Sequence, residues 1–228
     1  MDSSRASLIT LLAIAVVFLA VGTAHREGLR WDYDEGVHAM EAKLLLEGFS
    51  LYREIYSSDM PLFIASLAFA FRLLGSSIKT ARLVTLLYAT VGVLGVGLSA
   101  RLLGGRWAGS LASLMLTLSP SYFVGARVCW DDIPALSMAT VSFLLLCSWE
   151  RSDTSVWVFL AGVLYGLALS IKLVPVPMLP VLALLTVQRT LEWPPKLFLL
   201  APRVAGFVLA SALPLLLLTT VFGCKASV

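Results

Sequence analysis

Hydrophobic positions in this chain fall in long unbroken runs rather than in narrow stripes. Runs at Leu8–Thr23, Leu83–Leu103, Trp107–Val124, Ile133–Glu150, Val156–Ile171, Leu173–Val187 and Leu199–Phe222 each approach bilayer-crossing length, which for an α-helix is roughly 20 residues. An eighth run, Pro61–Gly75, is short and carries Arg72. The first run lacks a strongly basic flank and an A-x-A cleavage pattern, so it reads as a retained helix rather than a signal peptide. Gly92, Gly95, Gly97, Pro175, Pro177 and Pro180 punctuate several runs, which membrane helices tolerate when neighbours satisfy the freed backbone groups. The pattern predicts an all-α polytopic membrane protein with about seven transmembrane helices.

Whether Pro61–Gly75 crosses decides which face every later residue occupies. If it stays on one side, Arg5, Arg101, Arg106, Arg151, Arg189, Lys196 and Arg203 share the inner short loops, against Arg127, Lys172 and Lys225 outside. That asymmetry is what the positive-inside rule prefers, and a crossing would erase it. The expectation is therefore a single membrane domain over residues 1–228. It comprises a first span at 7–24, an outer loop at 25–79 and the remaining spans at 80–228, with Pro61–Gly75 lying in the surface or dipping in and returning.

The outer loop holds the most polar stretch of the chain. Its core reads W-D-Y-D-E-G-V-H-A-M-E-A-K-L-L-L-E-G, Trp31 to Gly48. Val37, Met40, Leu44 and Leu45 recur at three- and four-residue spacing, with Glu41, Lys43 and Glu47 around the rest of the wheel. That predicts an amphipathic interfacial helix closed by Gly48. Asp34 and Glu35 sit immediately before it, where a helix N-terminus favours negative charge. A second acidic pair, Asp131-Asp132, opens a later span, and Lys172 ends another. Charges bordering hydrocarbon are costly unless paired or facing a polar cavity. With Pro61–Gly75 not crossing, Asp34, Asp132 and Lys172 fall on one face. Taken residue by residue, Asp131 reads as a second cap and His38 as a surface polar group. The aromatics at run ends (Trp31, Tyr33, Trp107, Trp130, Trp149, Trp157 and Trp193) read as interfacial anchors.

Composition agrees with the membrane reading. Hydrophobic residues make up 59% and charged ones 14%, with a mean hydropathy of +0.90; soluble domains carry about 25% charge. The net charge of +3 is spread over many loops, so there is no nucleic-acid footprint. Cys129, Cys147 and Cys224 have neither disulfide-framework nor metal spacing.

Several stretches look alike in order and spacing to one enzyme group. D-E-G-V-H-A-M-E-A-K-L-L-L-E-G, L-Y-R-E-I-Y, M-P-L-F and T-A-R-L-V-T, followed by A-R-V-C-W-D-D-I-P-A-L and G-L-A-L-S-I-K, cover about Asp34 to Leu185. Together they resemble the N-terminal module of polytopic GT-C glycosyltransferases. The closest likeness is to the family 39 type: protein mannosyltransferases, aminoarabinose transferases and RgtA/B/C/D-like proteins. The resemblance implies a seven-span module that moves a sugar from a polyprenyl-phosphate donor to a protein, lipid or glycan acceptor on the outer face. It makes Asp34 the candidate general base and sets Glu35 beside it. Asp132 becomes the second acidic position, and Lys172, Arg53, Arg82 and Arg127 the candidate donor-phosphate contacts. It fixes no cofactor, and leaves open a divalent cation with Asp34 and Asp132 as candidate ligands.

Two departures stand out. Relatives often carry His or Lys with Pro where this chain reads S-S-D-M-P, with Asp59 in that place. Full-length relatives also continue past the point matching Val228, so the resemblance implies a fragment, a split enzyme with a second membrane chain, or a minimal core. Two other readings stay open from sequence: a non-catalytic partner subunit of the same fold, and a small transporter. Against transport, the acidic residues cluster in a loop rather than at mid-membrane depth.

Overall fold

The computed structural model describes residues 3–24, 29, 32–149, 156–191 and 197–223, with residues 189–191, 197–201 and 223 described by backbone alone. Trp31, Glu150, Arg151, Trp193, Lys196, Cys224, Lys225 and the side chain of Arg189 lie outside the described residues. Among the described residues ten α-helices follow one another: α1 (Ser3–Ala24), α2 (Tyr33–Leu46), α3 (Pro61–Leu74), α4 (Ile78–Gly104), α5 (Arg106–Leu118), α6 (Pro120–Gly125), α7 (Asp132–Ser148), α8 (Val156–Leu169), α9 (Leu179–Leu191) and α10 (Leu197–Gly223). Among the described residues there are no strands beyond a bridge between Leu51 and Ile55.

Each predicted run became helix, with breaks where the residue chemistry demands them. Ser119-Pro120 splits the third run into α5 and α6, because proline lacks the amide proton that would continue the ladder. The Pro175–Pro177 stretch delays α9 behind a 3-10 turn at Val176–Met178. Such a break inside a membrane protein frees carbonyls that need new donors. The fully buried Tyr165 provides one, its hydroxyl donating to the Pro175 carbonyl at 2.8 Å.

The rods alternate in direction. Arg101 at the end of α4 donates to the Ser4 carbonyl at 3.1 Å and to the Ser7 hydroxyl, so the start of α1 meets the end of α4. Arg106, opening α5, reaches Ser3 at the same end. The α6–α7 loop then meets α2 at the opposite end, and Lys172 after α8 returns there too. The last helix closes the bundle, its Phe222 packing against the cluster that includes α3. α1, α4 and α10 are long and apolar enough to cross a membrane by themselves; α3, α7, α8 and α9 are shorter apolar helices. The chain is an all-α integral membrane protein.

α3 begins and ends at the end that carries α2. The Leu62 amide donates to the Ser170 carbonyl at 3.0 Å, and the turn after Gly75 leads into α4, whose Arg82 is bound to α2. It packs more deeply than a surface helix would, with Phe63, Ile64 and Leu67 fully buried. Small residues let the rods approach closely, as membrane helix interfaces generally require. A Cβ on Gly162 of α8 would stand 2.6 Å from the Phe207 carbonyl oxygen of α10, and one on Gly92 of α4 would stand 2.6 Å from the Tyr122 hydroxyl.

Two aromatic residues expected at the interface are engaged inside the protein. Trp149 is buried with the Arg203 guanidinium 4.8 Å above its ring, and the Trp130 indole donates to Asp32. Tyr33 and Trp107 are exposed.

Candidate functional site

The site end is built around the first turn of α2. Asp32, in extended conformation before the helix, accepts a 2.5 Å hydrogen bond from the Trp130 indole. Glu35 is 0% exposed. Its two oxygens accept from Arg82 Nε at 2.8 Å and Nη2 at 2.7 Å, and Oε1 also accepts from the Cys129 amide at 2.8 Å. A bidentate guanidinium–carboxylate pair is the geometry best able to repay desolvation of both charges. It joins α2, α4 and the α6–α7 loop at one point. Asp34, one residue earlier and so about 100° around the wheel, is exposed at the same helix N-terminus.

Beyond this clamp, α2 turns a polar stripe inward. His38, Glu41 and Ala42 are buried while Met40 is exposed. Of the apolar residues that predicted an interfacial helix, Met40 lies on the outer side while Leu44 and Leu45 are half-buried against the hydrophobic cluster, and the buried face also gathers titratable groups. Gly48 closes the helix at φ +102, a backbone conformation that glycine alone adopts without strain.

His38 corrects the surface expectation, being 4% exposed. Its Nδ1 lies 2.8 Å from the Cys129 carbonyl and its Nε2 lies 3.1 Å from Asp59 Oδ2. Burial works against an imidazolium here, but the hydrogen bonds to Asp59 and Cys129 outweigh it and push the ring pKa up to about 11. The same hydrogen bond, opposed by burial, holds the Asp59 carboxyl below its usual range. Asp59 is further fixed by Tyr52, whose hydroxyl donates to its backbone carbonyl at 2.7 Å.

The acidic pair opening α7 divides its labour. The Asp131 side chain makes no cap hydrogen bond, contrary to its reading as a second cap. It is buried and accepts from Lys172 Nζ at 2.7 Å, whereas Asp132 is 41% exposed and lies 3.0 Å from the same nitrogen. Burial pushes the Asp131 carboxyl up, with Lys172 pulling the other way. For Lys172 burial is again opposed by the two carboxylates, which prevail and raise its pKa, so the ammonium stays charged.

Of the residues singled out in the sequence, Glu35, Asp132 and Lys172 join one continuous set of contacts at this end, and Asp34 adjoins it. Arg82 does not present its charge outward, because its guanidinium is held by Glu35 and is 3% exposed on its side chain. Arg127 lies with its guanidinium 4.2 Å over the Phe123 ring, and Arg53 is exposed in the loop before Ile55. His38, Asp59 and Asp131 were not selected as site residues. Their signal lies in buried contacts between distant segments, with 91 positions separating His38 from Cys129. Alongside, a groove of about 610 Å³ runs past Asp32, Tyr33, Met40, Glu41, Glu54 and Tyr56.

No curated protein matches the chain. A family profile described as dolichyl-phosphate-mannose-protein mannosyltransferase matches residues 58–218, beginning after Asp34 and including Asp59, Asp131, Asp132 and Lys172. Its apolar helices and the match over most of its length agree: the chain belongs to the dolichyl-phosphate-mannose-protein mannosyltransferase family and is a membrane glycosyltransferase of the GT-C type.

Proposed function

We propose that the chain transfers a sugar from a polyprenyl-phosphate-linked donor to an acceptor hydroxyl at the end that carries α2, with Asp34 as general base. The acceptor oxygen attacks the anomeric carbon, the bond from that carbon to the phosphate oxygen breaks, and the acceptor proton passes to Asp34. The lipid phosphate leaves with the bonding pair, and Lys172 stabilises the charge developing on it.

One observation carries this reading. A run of contacts links the base of Asp34 to the cation: Glu35 to the Cys129 amide, Asp32 to Trp130, and Asp131 and Asp132 to Lys172. The exposed carboxylate and the half-exposed ammonium thereby belong to one assembled surface. The family's own description names a dolichyl-phosphate-mannose donor and a protein acceptor, which supports a lipid-linked hexose as the donor class here.

The test incubates the purified chain in nanodiscs with radiolabelled polyprenyl-phosphate sugars and candidate acceptors. Transfer of label is expected, and Asp34→Asn is expected to lower it by about 10²–10⁴-fold with thermal stability unchanged. Retention of more than about a tenth of the rate would refute Asp34 as the base.

A further inference from the structure

Among the described residues, His38, Asp59 and Asp131 bring one ligand atom each to within 4.8 Å of one another. They come from three separate places: α2, the α2–α3 connection and the residue before α7. The hydrogen-bond chemistry of His38 constrains what lies between them. Its Nδ1 faces a carbonyl oxygen, which can only accept, so the ring proton is fixed on Nδ1. Nε2 then points at the Asp59 carboxylate, another acceptor, and something positive must stand between the two. A proton does this in the isolated chain. A metal ion does it equally well, and a metal-bound histidine characteristically donates its other N–H to a backbone carbonyl or carboxylate.

Two further observations point to more than a proton. Asp131 uses one oxygen for Lys172, while its other oxygen, Oδ2, is buried without a hydrogen-bond partner among the described residues. Glu41 on the same face of α2 is 4% exposed and also has a buried oxygen, Oε2, without a partner among the described residues. Leaving such atoms unsatisfied carries the desolvation cost of a charged oxygen with nothing to offset it. Charge tells the same story. With a proton on His38, the carboxylates of Asp59, Asp131, Asp132 and Glu41 exceed the cations His38 and Lys172 by two. A divalent ion on a neutral imidazole lowers that excess to one.

We propose that His38, Asp59 and Asp131 form a binding site for a divalent transition cation of the zinc type, with Glu41 or water as the fourth ligand. One imidazole nitrogen with carboxylate oxygens is a zinc-competent donor set, at bond lengths of about 2.0–2.2 Å. The observed 3.1 Å between His38 Nε2 and Asp59 Oδ2 is close to the ligand–ligand edge of about 3.3 Å that such bonds give in a tetrahedron. The ion displaces the proton from Nε2 and pins α2 to the loops before α3 and α7. This site is separate from Asp34 and does not rest on the proposed transfer reaction.

The test uses the full chain in nanodiscs, stripped with chelator and then titrated with Zn²⁺ and, separately, Co²⁺. The expected results are about one Zn²⁺ per chain, a higher melting temperature with Zn²⁺, and visible d–d bands of tetrahedral Co²⁺ carrying nitrogen and oxygen ligands. His38→Asn and Asp59→Asn are expected to weaken binding by at least about tenfold, while Glu54→Gln in the neighbouring groove leaves it unchanged. Failure of the unsubstituted chain to bind, a Co²⁺ spectrum of an octahedral hydrated ion, or equal affinity in Asp59→Asn would each overturn the proposal. The spectrum on the unsubstituted chain decides the matter even if a variant misfolds.

Discussion

Single side chains set the character of this site through their neighbours. Asp34 and Glu35 are adjacent and chemically alike, yet Glu35 is consumed by Arg82 and Cys129 while Asp34 is exposed. Asp131 and Asp132 repeat that division around Lys172. If Lys172 supports the donor phosphate, Lys172→Ala will raise the apparent KM for a polyprenyl-phosphate sugar at least about tenfold, the range expected from losing a charge-assisted contact of 1.5–3 kcal/mol. Lys43→Ala is the control. Lys43 is about half exposed and pairs loosely with Glu47 at 3.9 Å, so its effect will stay within about twofold; equal effects in a lipid-donor titration would remove Lys172 from that role. None of these divisions was readable from composition. An acidic pair at a helix start gives two carboxylates but not which of them the fold will bury.

At the scale of elements, α2 shows where sequence reasoning succeeds and where it stops. Its start at Tyr33 lies ahead of the expected one and takes Asp34 and Glu35 into the first turn, whereas its existence and its end at Gly48 follow from periodicity and a glycine with positive φ. Its orientation does not, because the period locates an apolar face without saying whether lipid or protein will cover it. Here Met40 stays outside, and Glu35, His38 and Glu41 turn inward. That choice is enforced by the Glu35–Arg82 pair, whose side chains are 0% and 3% exposed. Arg82→Met will therefore destabilise the protein by about 3–5 kcal/mol, since it strands a buried carboxylate. Adding Glu35→Leu to that variant will recover part of the loss. Thermal unfolding in detergent measures both, and a single variant as stable as the parent would show that the pair contributes nothing to holding α2. The pair itself was hidden in the sequence, its members standing 47 positions apart.

For the whole molecule, the apolar runs were legible because bilayer thickness leaves helices little freedom in length. The course of Pro61–Gly75 was inferred from loop charges; in the structure the Leu62 amide meets Ser170, and the turn after Gly75 leads into α4, whose Arg82 is bound to α2. Single cysteines test this arrangement directly. Ser58→Cys and Ser76→Cys, both at exposed positions, will react with an impermeant maleimide from the same side of sealed vesicles. Leu103→Cys, at the exposed far end of α4, will react only from the other side. Labelling of Ser58→Cys and Ser76→Cys from opposite sides would mean that α3 crosses.

The contacts of α2 also impose a timetable on biogenesis. A ribosome delivers the chain from its N-terminus, so Glu35 emerges before Arg82, and Asp32 waits 98 residues for Trp130. Lys172 reaches Asp131 later still, 41 residues further on. The acidic loop must therefore spend its early life hydrated and unlocked, and the network around α2 is complete only once α8 has been threaded into place.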